Sequence, residues 1–109
     1  MKIAYIISDI FFVGKIEPAL TSLGYENYKL KPDLSNLSDD TGIVIVHADT
    51  NTNPDIISQL SAKNIRTIGY MSHGEMKESK ELLKLFTKVV SKSQISGNLG
   101  EIIEQTLAK

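Results

Sequence analysis

IVIVHA, residues 43–48, is the segment on which the fold reading turns. Four β-branched residues follow one another with no polar alternation, the pattern of a strand buried on both faces rather than one with a wet side. Working outward, KIAYIIS (residues 2–8) has the same character, and IRTIGYM (65–71) and KVVS (88–91) supply two more such runs. Residues 27–31 form a weaker, alternating candidate. Helical patterns fall between these runs, so the chain reads as successive strand–helix units. The predicted class is α/β: a five-stranded parallel sheet between two helical layers.

The helices carry their own punctuation. Phe12, Ile16, Leu20 and Leu23 recur at helical spacing, and Gly24 is placed to follow the helix end. Pro18 removes one hydrogen bond inside that helix, so the helix is expected to begin near Glu17 or to kink, with Gly14 at the clashing position favouring a kink. Asn53-Pro54-Asp55 is an N-cap, a first-turn proline and a first-turn acid ahead of Ile56, Ile57 and Leu60. A further helical run is expected over residues 75–86, with Leu82, Leu83 and Phe86 as its apolar side. A last helix is expected from Asn98, with Glu101 completing a capping box and Leu99, Ile102, Ile103 and Leu107 buried. The connection over residues 31–41 contains Pro32 and three aspartates, which leaves room for no more than a turn or so of helix.

Composition narrows the function classes. At 109 residues the chain is expected to be one domain, and 41% hydrophobic residues suffice for a core. Twelve Lys+Arg against thirteen Asp+Glu give a net charge of −1, so no field gathers nucleic acid or an anionic membrane. The absence of cysteine excludes disulfides, thiolate metal sites and a Cys nucleophile, and fits a cytoplasmic protein. No apolar run is long enough to span a bilayer or to serve as a signal-peptide core. Dinucleotide, P-loop and zinc-protease motifs are missing, and no serine sits in a G-x-S-x-G turn.

In an open parallel sheet, chemistry collects outside the carboxyl ends of the strands. Ser8 and Asp9 follow the first strand, His47 and Asp49 close the third, Ser72 and His73 follow the fourth, and Lys92 follows the fifth. With strand order 2-1-3-4-5 these residues rim one cleft. Phe11 and Phe12, adjacent beside it, cannot both face the core of a regular helix, so one is expected inward and the other free for a partner. The charged stretch Lys77, Glu78, Lys80, Glu81 and Lys84 reads as a solvated helix face.

The order of elements, the Ser8-Asp9 step, Ser72 and Lys92 resemble the receiver domain of bacterial response regulators. DIFFVGKIEPALTSLGYE (9–26), IRTIGYMSH (65–73) and VVSKSQ (89–94) resemble more closely a group of small stand-alone receiver-like proteins. The resemblance implies a flavodoxin-like fold with strand order 2-1-3-4-5 and a second helix that is short or absent. It also implies where the phosphorylation machinery would lie, and there the chain departs from it. Receivers place adjacent acids after the first strand to hold Mg²⁺, whereas this chain has Ser8 and Asp9. The position of the acceptor aspartate is His47, with Asp49 two residues later. Ser72 matches the hydroxyl that senses the phosphate and Lys92 the lysine that pairs with it, followed by Ser93 instead of proline.

Mg²⁺ prefers several hard oxygen ligands, and a pocket reduced to Asp9 with an imidazole in place of the acceptor is poorly suited to it. The expectation is a degenerate phosphorylation cleft of Asp9, His47, Asp49, Ser72 and Lys92 in a pseudo-receiver. Such a chain would be non-enzymatic, need no cofactor, and act on a protein partner or as a homodimer. Asp9 and Lys92 are expected to form an ion pair across the cleft. One alternative is a phosphoacceptor using Asp49 or His47 with Mg²⁺. Another is a small metal-binding protein or enzyme using Asp9, His47, Asp49 and His73.

Overall fold

The computed structural model describes residues 1–49, 52–72 and 80–109. Its elements follow in the order β1 (Lys2–Ile6), α1 (Ile10–Ser22), β2 (Glu26–Lys29), β3 (Thr41–His47), α2 (Pro54–Ala62), β4 (Arg66–Met71), α3 (Lys80–Leu83), β5 (Lys88–Ser91), α4 (Lys92–Gly97) and α5 (Leu99–Leu107). The five strands form one sheet in the order β2-β1-β3-β4-β5, and every pairing is parallel. The layered α/β architecture and the strand order are those expected from the sequence.

Alternation along the central strands divides the core in two. Ile3, Tyr5, Ile7, Ile43, Ile45, Ile68, Tyr70 and Val90 face α1 and α5, where they meet Phe12, Ile16, Leu20, Ile102 and Ile103. Ala4, Val44, Val46 and Met71 face the other way, toward Ile57 and Leu60 of α2 and toward Phe86. The three central strands β1, β3 and β4 therefore bury both their odd and their even side chains, which is why their sequence runs are continuous, whereas the edge strand β2 has no fully buried residue. Gly69 lies beneath Phe86, whose ring carbon Cδ2 would stand 2.8 Å from a β-carbon placed there.

Several local expectations are corrected. The first helix starts at Ile10, not near Glu17, and carries Pro18 within an unbroken span. The proline ring is on the exposed side, and the helix continues through it at the cost of one backbone hydrogen bond. Gly24 takes φ +87°, a conformation that closes a helix cheaply only with glycine. The described end of the run expected over 75–86 is the single turn α3, which stops at Leu83 before Phe86; residues 75–79 lie outside the described residues. Asn98 makes no side-chain cap, and the capping box lies earlier, at Ser91 and Gln94, where it starts a separate helix α4.

No helix forms between β2 and β3. Residues 30–40 cross instead as turns, and the Asn36 side chain organises the first part. Its amide nitrogen donates to the Lys29 carbonyl at 2.9 Å and its oxygen accepts from the Lys31 amide at 2.8 Å. Leu34 adopts φ +62°, an unfavourable conformation for a leucine, with its side chain packed against the second core.

Candidate functional site

Asp9 closes β1 and opens α1. Its Oδ1 accepts from the Phe11 amide at 3.0 Å and from the Phe12 amide at 3.3 Å, which satisfies two of the free donors at the helix start. Its Oδ2 lies 3.5 Å from Lys92 Nζ. The Phe12 amide above all, and then the Phe11 amide and the Lys92 ammonium, hold the Asp9 carboxyl below the usual carboxylate range against a smaller opposing effect of burial.

Lys92 reaches Asp9 because the capping box fixes its base. Ser91 Oγ accepts from the Gln94 amide at 3.2 Å, and Gln94 Oε1 accepts from the Ser91 amide at 2.9 Å. From there the ammonium stands 5.0 Å from the centroid of the Phe12 ring. Phe12 stacks on Tyr70 with centroids 4.8 Å apart, and Tyr70 stacks on His47, its partner in the β3–β4 register, at 5.0 Å. The result is a column, Lys92–Phe12–Tyr70–His47, that runs along the carboxyl ends of the strands. Tyr70 is 1% exposed, and neither its hydroxyl nor His47 Nδ1 has a hydrogen-bond partner among the described residues. Burial, with the Asp9 charge adding to it, pushes the Tyr70 hydroxyl pKa well above its ordinary value. Tyr70 was not among the residues singled out by the sequence. Its signal was the aromatic two residues before Ser72, directly opposite His47 once the strands are set in register.

The structure brings Asp9 and Lys92 together and places other expected residues elsewhere. Ser8, His47 and Asp49 line a cleft of about 280 Å³ with Ile6, Pro32, Val46, Thr52, Asn53, Ile56 and Ile57; Asp9, Ser72 and Lys92 are not on its wall. Asp49 belongs to the turn leading into α2, where its amide donates to Thr52 Oγ1 at 2.9 Å and its carbonyl accepts from the Thr52 amide at 3.1 Å. Ser72 is exposed, and His73 lies outside the described residues. Of the phenylalanine pair, Phe12 is 3% exposed and Phe11 82%, with Ile10 beside it at 73%. Lys80, Glu81 and Lys84 are exposed as a solvated face requires, and Lys84 pairs with Glu81 at 3.3 Å; Lys77 and Glu78 lie outside the described residues.

This donor set does not suit Mg²⁺. One Asp9 oxygen is engaged by two amides and the other faces an ammonium, while His47 offers nitrogen where a receiver offers a carboxylate. Among the described residues, no three His, Asp or Glu side chains gather in a way that could hold a metal, so Asp9, His47 and Asp49 do not form the alternative metal site by themselves.

No protein-family model matches the chain, and no curated protein does. Among solved structures, the Legionella pneumophila response regulator LqsR superposes with a TM-score of 0.73 over 96% of this chain. The chain has a receiver-like fold. It spans 43% of the LqsR chain at 11% identity, a likeness of fold alone. Among the described residues, no helix is long and apolar enough to cross a membrane.

Proposed function

We propose that this receiver-like chain is a cytoplasmic signalling and interaction module that works through protein–protein contacts and is not phosphorylated at the usual acceptor position. The observation that carries this reading is the Asp9–Lys92 pair, 3.5 Å apart, beside a β3 that ends in histidine. In a phosphorylating receiver the acid would help to hold a metal and the lysine would meet the phosphoryl group. Here each group is the other's partner, which holds α1 and α4 in one arrangement without phosphate. The cation over the Phe12 ring supports the same arrangement.

Such a module has no turnover, and its output is a surface. Ile10 and Phe11 at the start of α1 are the candidate contact, exposed at 73% and 82% beside the paired charges. The partner is a second copy or another protein. Incubation with acetyl phosphate and Mg²⁺ followed by intact-mass measurement tests the reading; an unchanged mass is expected. A stable phosphate adduct mapped to Asp49 or His47 would replace it with the phosphoacceptor alternative. Light scattering of the wild type and of Phe11→Ser then identifies the surface, with a loss of self-association or partner binding expected in the variant.

A further inference from the structure

An exposed apolar projection and an open apolar crevice stand at the same end of the sheet. Strands β1 and β2 are parallel with α1 between them, so α1 begins at the carboxyl ends of the strands. Helical side chains tilt toward the helix N-terminus, which aims those of the first turn, Ile10 and Phe11, out over that end. The 280 Å³ cleft opens there too, with Ile6 of β1 beside Val46 of β3, Ile56 and Ile57 of α2 as its far wall, and Pro32 of the helix-free crossover as its lip. Ile6 and Ile56 pack on the second core yet remain only half-buried. Ser8 lines the cleft and Phe11 follows three residues later, so at most ~11 Å of chain separates the two features.

Phe11 keeps 82% of its surface exposed and does not line its own cleft. The Asp9 carboxylate holds its amide at 3.0 Å, and the next residue, Phe12, is buried against Tyr70, so the first turn of α1 is fixed with Phe11 pointing away. An apolar cavity of about 150 Å³ takes a benzene ring, so about 280 Å³ holds a phenylalanine ring and part of a neighbouring isoleucine. Charge does not oppose the approach of two copies: Asp9 and Lys92 at this end pair with each other, and each chain carries a net charge of −1. Two rings at ~150–250 Å² each, with two isoleucines and the walls they cover, approach the lower end of the ~1,200–2,000 Å² of specific interfaces, which makes such a contact reversible. Projection and crevice lie on one surface, so a two-fold axis between two copies seats both rings at once and leaves neither feature open. A head-to-tail contact would leave one of each exposed.

We infer that two copies of this chain form a reciprocal two-fold dimer in which Phe11 of each, with Ile10 beside it, seats in the crevice between Ile6, Val46, Ile56 and Ile57 of the other. This dimer rests on the interaction reading above, takes a second copy as the partner, and adds the crevice as the other half of the contact.

The test is analytical sedimentation of the full chain from about 10 µM to about 1 mM. The wild type is expected to pass from monomer to dimer with a midpoint of about 0.1 mM, as suits an interface of this size. Phe11→Ser removes the ring, and Ile56→Glu places a charge in the crevice. Each variant alone loses both contacts and is expected to stay monomeric throughout, at about tenfold in affinity per contact. An equimolar mixture of the two keeps one contact, Phe11 of the second variant in the intact crevice of the first. It is expected to have a higher average mass than either variant at the same total concentration. Pro32→Glu changes an exposed residue at the lip, so it repeats the crevice arm whether or not Ile56→Glu folds, and is expected to weaken dimerisation about tenfold. A wild type monomeric at about 1 mM, a Phe11→Ser chain that dimerises as the wild type does, undiminished dimerisation by Pro32→Glu, or a mixture no heavier than its components would each overturn the dimer. A monomeric wild type would leave the interaction reading standing on its own tests, since acetyl phosphate labelling and the binding of another protein are separate measurements.

Discussion

The two faces of the sheet draw on the same central strands and bury their alternate side chains, yet they are closed to different degrees. Under α1 and α5, the packing runs from Ile3 and Leu20 through the Phe12–Tyr70 stack, and Ile16, Ile43, Ile45, Ile68 and Ile103 are 1% exposed or less. On the opposite face, Ile57 and Leu60 are fully buried, while Ile6, Tyr28, Ile56, Leu82 and Leu83 are covered only in part. The strand residues do not cause the difference, since Val44 and Val46 are as apolar as Ile43 and Ile45. The cover differs: beside β1 this face is capped by the helix-free crossover, whose Leu34 and Leu37 pack on it only in part. A strand sequence thus determines that a face is apolar, and the connections determine whether it is dry.

The contrast can be broken by substitution. Phe12→Ala should have the largest effect, about 3–5 kcal/mol of lost stability in urea unfolding, since it removes a buried ring that joins Tyr70 to Lys92. Next, Ile16→Ala on the closed face is expected to cost about 4 kcal/mol and Ile57→Ala, on the wall of the cleft, about 2–3 kcal/mol. The cost of truncation rises with the void that persists, and a void at Ile57 would open into the cleft it lines. Equal losses would mean that the two faces are equally closed.

Gly69→Ala should cost about 1–3 kcal/mol, because the new methyl meets the Phe86 ring; combining it with Phe86→Leu should recover much of the loss. The smallest effect belongs to the paired charges. The Asp9 carboxyl has a folded pKa below its ordinary value of 3.8, so its contribution is fully present above that value and is lost as the pH falls through the lower folded one. Acid unfolding of Asp9→Asn, which keeps a good helix cap but has no charge, should lack this component below about pH 4. Identical acid curves for the two proteins would remove the pair from any stabilising role.

How much of this was legible depended on whether a signal was local. The runs at residues 2–8 and 43–48 disclosed a doubly covered parallel sheet because burial on both sides leaves no polar alternation. Asn53-Pro54-Asp55 announced α2 because a cap, a fixed φ and a first-turn acid all act within three residues. Asn98 and Glu101 had the spacing of a capping box, but Ser91 and Gln94 have it too. The second pair prevails because Ser91 leaves the buried end of β5 already extended. Asp9 was read as a cleft acid, and its capping of α1 was obscured by Pro18, which argued for a later start. The Lys92–Phe12–Tyr70–His47 column joins four elements and depends on strand register, which no single segment encodes. The cleft was hidden for a related reason: a short crossover was foreseen, but not the side chains it would leave uncovered.

The Asn36 carboxamide has a consequence for how this molecule opens. Two hydrogen bonds from one side chain hold the lip beside β2, where a longer crossover would supply a cooperative turn of backbone. The Lys31 amide hydrogen should therefore exchange with deuterium through a local event that leaves the sheet intact. Asn36→Leu would turn that slow leak into a fast one, while the amides of Ile45 and Ile68 kept their protection. Access to the interior would then be governed by a single polar side chain that touches neither the sheet's centre nor the paired charges.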